Sequence, residues 1–546
     1  MPAMRSPAGR DLVVLTLVCA LVFGWRLGGL GLIDPDEPFY ALTASEMLAH
    51  HDLVTPRIFG APQFEKPPLF YWLACASFTV LGRGETAARL PGALAATLLV
   101  LVTAAFGRRA FGARAGLLAG LVLATGVLIA VDARLMLTDV VFAVFVCGAC
   151  LALWRAIEPA ATGAGRWLAL AAIASALATL TKGPLGLLVP ALALAAWRLA
   201  RGPGPRVGAR AWLAAAALWL VIAVPWYAVM VARHGPEYLR AFFLHENLDR
   251  LLHAEHPANN RLDYYPAVIV LGSWPWLPAL GVTLMRLRRR LAPGGVARFL
   301  GLWMLSSLIF FTLAQSKLPT YILFVFVPLA LYIGASLDEL LRDGFASRAE
   351  RVVALALATL QAGALVVPLF LPVAAPYAAP ALVAAAVLVA ALAMLAVRPG
   401  RAWIGTSAAA TLALVVAATS GAVGAIEPDA SVRPAVLAIE HATPPGSPIL
   451  CSAFLVRGIR YYTGRGDAVL SNRDWPFFTP HAIPIVRGPR GLADFVRRRG
   501  ATLVVMRAKE WREIERAAPR PIPGARVAIG DKLLVRVGPE ALGALE

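Results

Sequence analysis

Residues Pro67–Leu81 read PPLFYWLACASFTVL. This stretch is apolar, but at roughly 15 residues it is short for a helix that must cross ~30 Å of hydrocarbon. Whether it spans decides the topology of everything after it. Counted as a span, it turns every later arginine-rich loop to the outside. Read instead as a helix lying at the outer surface, with Tyr71 and Trp72 at headgroup level, it leaves all those loops on one side.

About thirteen further apolar segments surround it, near 11–33, 87–107, 112–130, 140–156, 167–181, 184–200, 211–232, 266–286, 298–314, 319–337, 352–372, 378–397 and 403–424. Arg5 and Arg10 precede the first, and Arg108, Arg109 and Arg114 follow the second. The same side collects Arg155 and Arg166, then Arg198, Arg201, Arg206 and Arg210. Next come Arg286, Arg288, Arg289 and Arg290, then Arg342, Arg348 and Arg351, and lastly Arg398 and Arg401. The positive-inside bias makes this the cytoplasmic side and places the N-terminus there.

Composition agrees. The chain has 546 residues, of which 59% are hydrophobic and only 15% charged, and a mean hydropathy of +0.70. A soluble globular protein does not carry that balance. The net charge of +19 is largely that of the inner loops, so no nucleic-acid partner is needed to explain it. The first segment has an apolar core too long for a signal peptide, and no small-x-small cleavage site follows it. Four of the five cysteines (Cys19, Cys75, Cys147, Cys150) lie in apolar segments and Cys451 stands alone, so neither a disulfide framework nor a Cys metal motif is expected.

The expected architecture is an α-helical polytopic membrane domain over 1–425, with long outer loops at 34–86 and 233–265. A polar domain follows over 426–546. Apolar runs at Pro448–Phe454, Ala468–Ser471, Thr502–Met506 and Lys532–Val537 predict strands, and Ala508–Ala517 predicts a helix. That is one small α/β domain on the outer face.

The unusual charges all fall on that outer side. Asp34-Pro-Asp-Glu-Pro-Phe-Tyr40 opens a helix near 38–50, with Asp36 and Glu37 at its positive end. Asp36 can serve there simply as a helix cap. Glu65-Lys66 precedes the surface helix; it is either a solvated pair of little worth or a cation at the depth of a lipid phosphate. Asp132-Ala-Arg-Leu-Met-Leu-Thr-Asp139 puts three charges between apolar helices, where they must pair or stay wet, and Arg134 with Asp139 is one such pairing. Lys182, in Thr-Lys-Gly-Pro, and Lys317, in Gln-Ser-Lys-Leu-Pro-Thr-Tyr321, run against the inside bias unless they merely snorkel. In the second loop, Glu237–Leu252 predicts an amphipathic helix with His245/Asp249 and Glu246/Arg250 as i,i+4 pairs, and Arg261 follows. Glu65, His245 and Glu246 have the residue types that bind zinc, yet no tight ligand motif is present. No cofactor is required.

Taken together these motifs resemble the membrane glycosyltransferases of the GT-C type. The motifs are Asp36-Glu37-x-x-Tyr40-Ala41, Phe64-Glu-Lys-Pro-Pro68, Ala133-Arg-Leu-x-Leu-Thr-Asp139, Thr181-Lys-Gly-Pro184, Trp274-Pro-Trp-Leu-Pro278 and Ser316-Lys-Leu-Pro-Thr-Tyr321. The chain looks most similar to the lipid A aminoarabinose transferases, relatives of the protein O-mannosyltransferases. Two positions depart from their pattern. Phe39 stands where those enzymes usually carry Arg, and His245-Glu246-Asn247 where they usually carry Glu-His.

The resemblance implies a sugar donor linked to undecaprenyl phosphate, with lipid A or another envelope molecule as acceptor. The site would be periplasmic, in the bacterial inner membrane. It also implies roles. Lys66, Arg261 and Lys317 would meet the leaving phosphate, helped by Lys182 and Tyr321. Tyr40, Glu65, Arg134 and Arg250 would line the substrate site. Asp36 would be base or orienting carboxylate, with Asp139 the second. Two rivals remain: a related transferase moving another sugar such as mannose to protein or lipid, and a lipid transporter, which predicts mid-membrane charges and an inverted repeat.

Overall fold

The protein is described by a computed structural model. It describes all residues except 1–6, 160, 203, 205–206, 255, 292–294, 367–369, 371–374, 376–377, 445 and 474–480, so Arg5, Arg206 and the end of the 352–372 segment lie outside the described residues.

Among the described residues, eight helices are long and apolar enough to cross a membrane. They match eight of the thirteen expected segments. Two of the others are broken. The 112–130 segment is split at Gly126 into Ala113–Thr125 and Val127–Asp132, and the 266–286 segment is split around Ser273–Trp276 into Tyr264–Gly272 and Leu277–Arg290. Pro275 lacks the N–H that would continue the helical ladder. The segment that decides the topology is a 13-residue helix, Leu69–Leu81, about 20 Å long at 1.5 Å per residue and too short to span.

Two compact units form. The first comprises Met1–Leu27, Phe64–Phe70 and Arg89–Gly421. The second comprises Gly28–Gln63, Tyr71–Ala88 and Ala422–Glu546.

In the first unit, charged loop residues are consumed in locking helix ends. Arg286 is buried and donates to Glu350 through Nε at 3.0 Å and Nη2 at 2.7 Å. The long helix from Ala209 bends at Gly235 (φ 59°), continues through Pro236, and winds into a wide π-helical stretch over Arg240–Asp249. The amphipathic helix expected at 237–252 is thus the continuation of a span. The Gly-Pro step hides the continuity in the sequence.

In the second unit, a six-stranded sheet has the order β5-β4-β3-β6-β8-β7. The strands are β3 Ile449–Cys451, β4 Ala468–Ser471, β5 Ile485–Arg487, β6 Thr502–Arg507, β7 Arg526–Ile529 and β8 Lys532–Val537; β1 and β2 are a hairpin described below. Strands β3 to β6 are parallel, and β7 and β8 add antiparallel. The four strands expected from apolar runs are all present; β5 and β7 carry arginines and were not legible. One face packs Ile449, Cys451, Leu503 and Val505 on Ile439, Leu455 and Ile459. The other packs Leu450, Leu470, Val504 and Met506 on Leu492, Trp511 and Ile514. Alternation along each strand places these sets on opposite faces.

The first loop folds with this sheet. Asp34 N–H donates to Ala430 O at 3.0 Å and Val432 N–H to Asp34 Oδ2 at 2.8 Å. Leu32 N–H donates to the Tyr462 hydroxyl, which donates to Glu85. The Asp36–Ala49 helix carries Glu46, whose carboxylate accepts from Phe59 N–H and Gly60 N–H. Those two residues have φ of 55° and 78° and turn β1 (Arg57–Ile58) into β2 (Ala61–Pro62), the type I′ geometry that glycine eases.

Candidate active site

In the first unit, five chain segments bring charged side chains together. Lys66, just before the Leu69–Leu81 helix, donates to Glu246 Oε2 at 3.0 Å. Arg250, one turn beyond Glu246, reaches the same oxygen at 3.2 Å. Glu246 is 7% exposed, so two cations offset one buried carboxylate. The π-helical winding of this stretch is a feature that recurs at functional sites.

Arg250 also ties the next segment in, because its carbonyl accepts from Ser316 N–H at 3.1 Å. Lys317 follows. It is buried, donates to Asn260 Oδ1, and burial lowers its pKa below the usual lysine value. Tyr321 comes one turn later, and its ring lies 5.4 Å from the Lys182 ammonium. Lys182 donates to Asp139 Oδ1 at 2.6 Å and also faces the Phe142 ring at 5.8 Å. A cation between two aromatic rings and a carboxylate is held by both charge and quadrupole.

Asp132 lies beside this pair. It is 1% exposed.

Other expected members behave differently. Arg134 does not pair with Asp139. Its guanidinium donates to the carbonyls of Val22, Phe23 and Trp25 at 2.8 to 3.2 Å, satisfying the end of the first helix. Arg261 is 63% exposed and binds Asp263 through two hydrogen bonds, so its charge is already matched at the surface. Glu65 is half-buried, and its carbonyl accepts from Lys66 Nζ at 3.2 Å. His245 pairs with Asp249 at 3.3 Å. Among the described residues no three His, Cys, Asp or Glu side chains gather as metal ligands; Glu246 faces Lys66 and Arg250, a cationic set that does not fit zinc.

Asp36 and Tyr40 belong to the second unit. Asp36 starts its helix and is exposed, and the helix has no side-chain cap. The local capping contact comes instead from buried Glu37, whose Oε2 accepts from Ile33 N–H at 2.8 Å. Tyr40 packs beside Phe39 and Tyr71, with ring centres 5.1 and 6.1 Å apart. The sequence reading missed Asn260 as the partner of Lys317, since a lone amide carries no signal.

Residues 65–228 match a family model described as dolichyl-phosphate-mannose-protein mannosyltransferase. The undecaprenyl phosphate-alpha-4-amino-4-deoxy-L-arabinose arabinosyl transferase 2 of Pseudomonas fluorescens (strain Pf0-1) is 32% identical over 342 residues, 61% of this chain and 60% of that protein. The corresponding transferase of Pseudomonas aeruginosa (strain UCBPP-PA14) is 33% identical over 362 residues, 64% of each. The match therefore spans about three-fifths of the curated relatives' length. Among solved structures, ArnT from Cupriavidus metallidurans bound to undecaprenyl phosphate superposes with a TM-score of 0.76 at 23% identity, covering 96% of this chain and 97% of that one. The fold is shared across the whole chain. The α-helical membrane fold class and the resemblance to aminoarabinose transferases read from the motifs are borne out.

Proposed function

We propose that the chain is an integral-membrane glycosyltransferase that moves 4-amino-4-deoxy-L-arabinose from undecaprenyl phosphate to lipid A. In this reading the N-terminus is cytoplasmic and the site and residues 426–546 are periplasmic. The observation that carries the proposal is the Lys66–Glu246–Arg250 group, two cations on one buried carboxylate. The names of the curated relatives and the bound lipid of the solved neighbour supply the chemical class.

The acceptor oxygen attacks the anomeric carbon, the carbon–oxygen bond to phosphate breaks, and the electron pair goes to the departing lipid phosphate. Negative charge grows on that phosphate, and fixed cations facing it lower the barrier. Lys66 and Arg250 do this, with Glu246 keeping both in place until the donor arrives. Lys317 and Tyr321 extend the donor set, and Lys182–Asp139 braces it. An acceptor phosphate on lipid A is already an anion and needs no strong base, so Asp36 orients the sugar or balances the positive charge developing on it. Tyr40 and Glu65 are assigned to substrate contact in this reading.

A second reading keeps the site and changes the sugar or acceptor; the mannosyltransferase family model favours it. Purified protein given undecaprenyl-phosphate aminoarabinose and lipid A separates the readings by mass spectrometry. Modified lipid A is expected. Transfer only of another polyprenyl-linked sugar selects the second reading, and a lipid–sugar bond left intact with every donor removes both and leaves a transporter.

A further inference from the structure

The sheet of the second unit contains a feature that the transfer reaction leaves unused. In the order β5-β4-β3-β6, strand β3 comes first in the chain and lies between β4 and β6. From the carboxyl end of β3 the chain runs into the Val456–Thr463 helix, which packs on one face with Val456 and Ile459. From the carboxyl end of β6 it runs into the Ala508–Ala517 helix, which packs on the other face with Trp511 and Ile514. The two exits diverge, and the edge between them is a topological switch point. In open α/β sheets that position is where ligands bind.

Polar groups at this edge are left without partners. Ser452 follows β3, and its N–H donates to Val505 O on β6 at 3.0 Å. The residue is 1% exposed, yet its hydroxyl has no hydrogen-bond partner. Arg507 ends β6. Its Nε likewise has no partner, while one Nη donates to Glu510 Oε1 at 2.6 Å and its backbone N–H to Glu510 Oε2 at 3.2 Å. The guanidinium lies 3.7 Å from the centre of the half-buried Phe454 ring. Buried donors are nearly always satisfied, so two orphans on adjacent strand ends call for an explanation.

We propose that this crevice binds a phosphoryl group, as a phosphate monoester or a phosphorylated headgroup. The Arg507 fork and the Ser452 hydroxyl supply unpartnered donors at the ends of adjacent strands, which suits a tetrahedral oxyanion. Phe454 offers a flat face to whatever carries the phosphate. Glu510 pairs with the guanidinium and yields to the incoming anion. The site is separate from the transfer chemistry and does not rest on it.

The test uses the full-length protein in detergent, followed by thermal unfolding. Inorganic phosphate should raise Tm at constant ionic strength, whereas chloride should not. Arg507→Gln should weaken phosphate binding at least roughly tenfold, the loss of one charge-assisted contact, and Ser452→Ala should weaken it less. Glu510→Gln should tighten it, which guards against a variant that simply misfolds. Nanodiscs with phosphatidic acid in place of phosphatidylcholine form a second arm; stabilisation there without soluble phosphate identifies a headgroup as the source. No response of the wild type in either arm overturns the proposal, as does unchanged binding in Arg507→Gln or weaker binding in Glu510→Gln.

Discussion

The Lys66 ammonium donates a 3.0 Å hydrogen bond to Glu246, 180 residues further along the chain. Neither residue stands out alone. Together with Arg250 they make a cationic cradle whose carboxylate is almost wholly withdrawn from water.

Lys66→Ala should reduce transfer by about 10²–10³-fold, the usual loss when a preorganised stabilising group is removed. The protein should still insert and express. Transfer in isolated membranes measures this, and near-normal activity would remove Lys66 from the mechanism.

Arg250→Ala and Arg261→Ala should differ. Arg250 shares buried Glu246, whereas Arg261 is matched by Asp263 at the surface. Transfer should collapse in the first and stay within a few-fold of wild type in the second, as expected of an exposed ion pair. Equal losses would show that Arg261 turns inward during the reaction.

Asp139→Asn removes the negative charge from the group that the Lys182 ammonium meets at 2.6 Å. Breaking a buried pair costs about 3–5 kcal/mol, visible as a lower Tm in detergent. Exchanging both, Asp139→Leu with Lys182→Met, should recover most of that stability without recovering transfer. Recovery of activity would make the pair a pure scaffold.

Asp34 predicts a pH dependence. Burial is the main cause that raises its carboxyl well above the ordinary 3.8. A raised acid favours the protonated folded form, so its contribution is lost as pH climbs from that value through the higher folded one. Hydrogen exchange at Ser431–Arg433, beside the Val432 N–H bond to Asp34, should quicken with rising pH. Asp34→Asn should flatten the dependence; an unaltered slope would mean other groups set it.

Much of this was legible because membranes punish misplaced charge. Lys182 and Lys317 stood out as cations on the wrong side of the arginine bias, and both lie in the cluster. Which cation meets which acid was not legible, since pairing depends on helices brought together from distant parts of the chain. Arg134 shows the cost. Its spacing from Asp139 invited an ion pair, yet three backbone carbonyls of the first helix claim it. The i,i+4 pairs of the second loop were read correctly because their geometry is local.

The Asp36–Ala49 helix shares its compact unit with residues 422–546, and Asp34 is pinned by Ala430 and Val432. During synthesis that helix therefore emerges early and waits. At ~5–20 residues per second, tens of seconds pass before its partners leave the ribosome. A nascent chain arrested after Ser420 but before the final strands would carry the eight apolar helices and still hold Asp36 on an unfinished support.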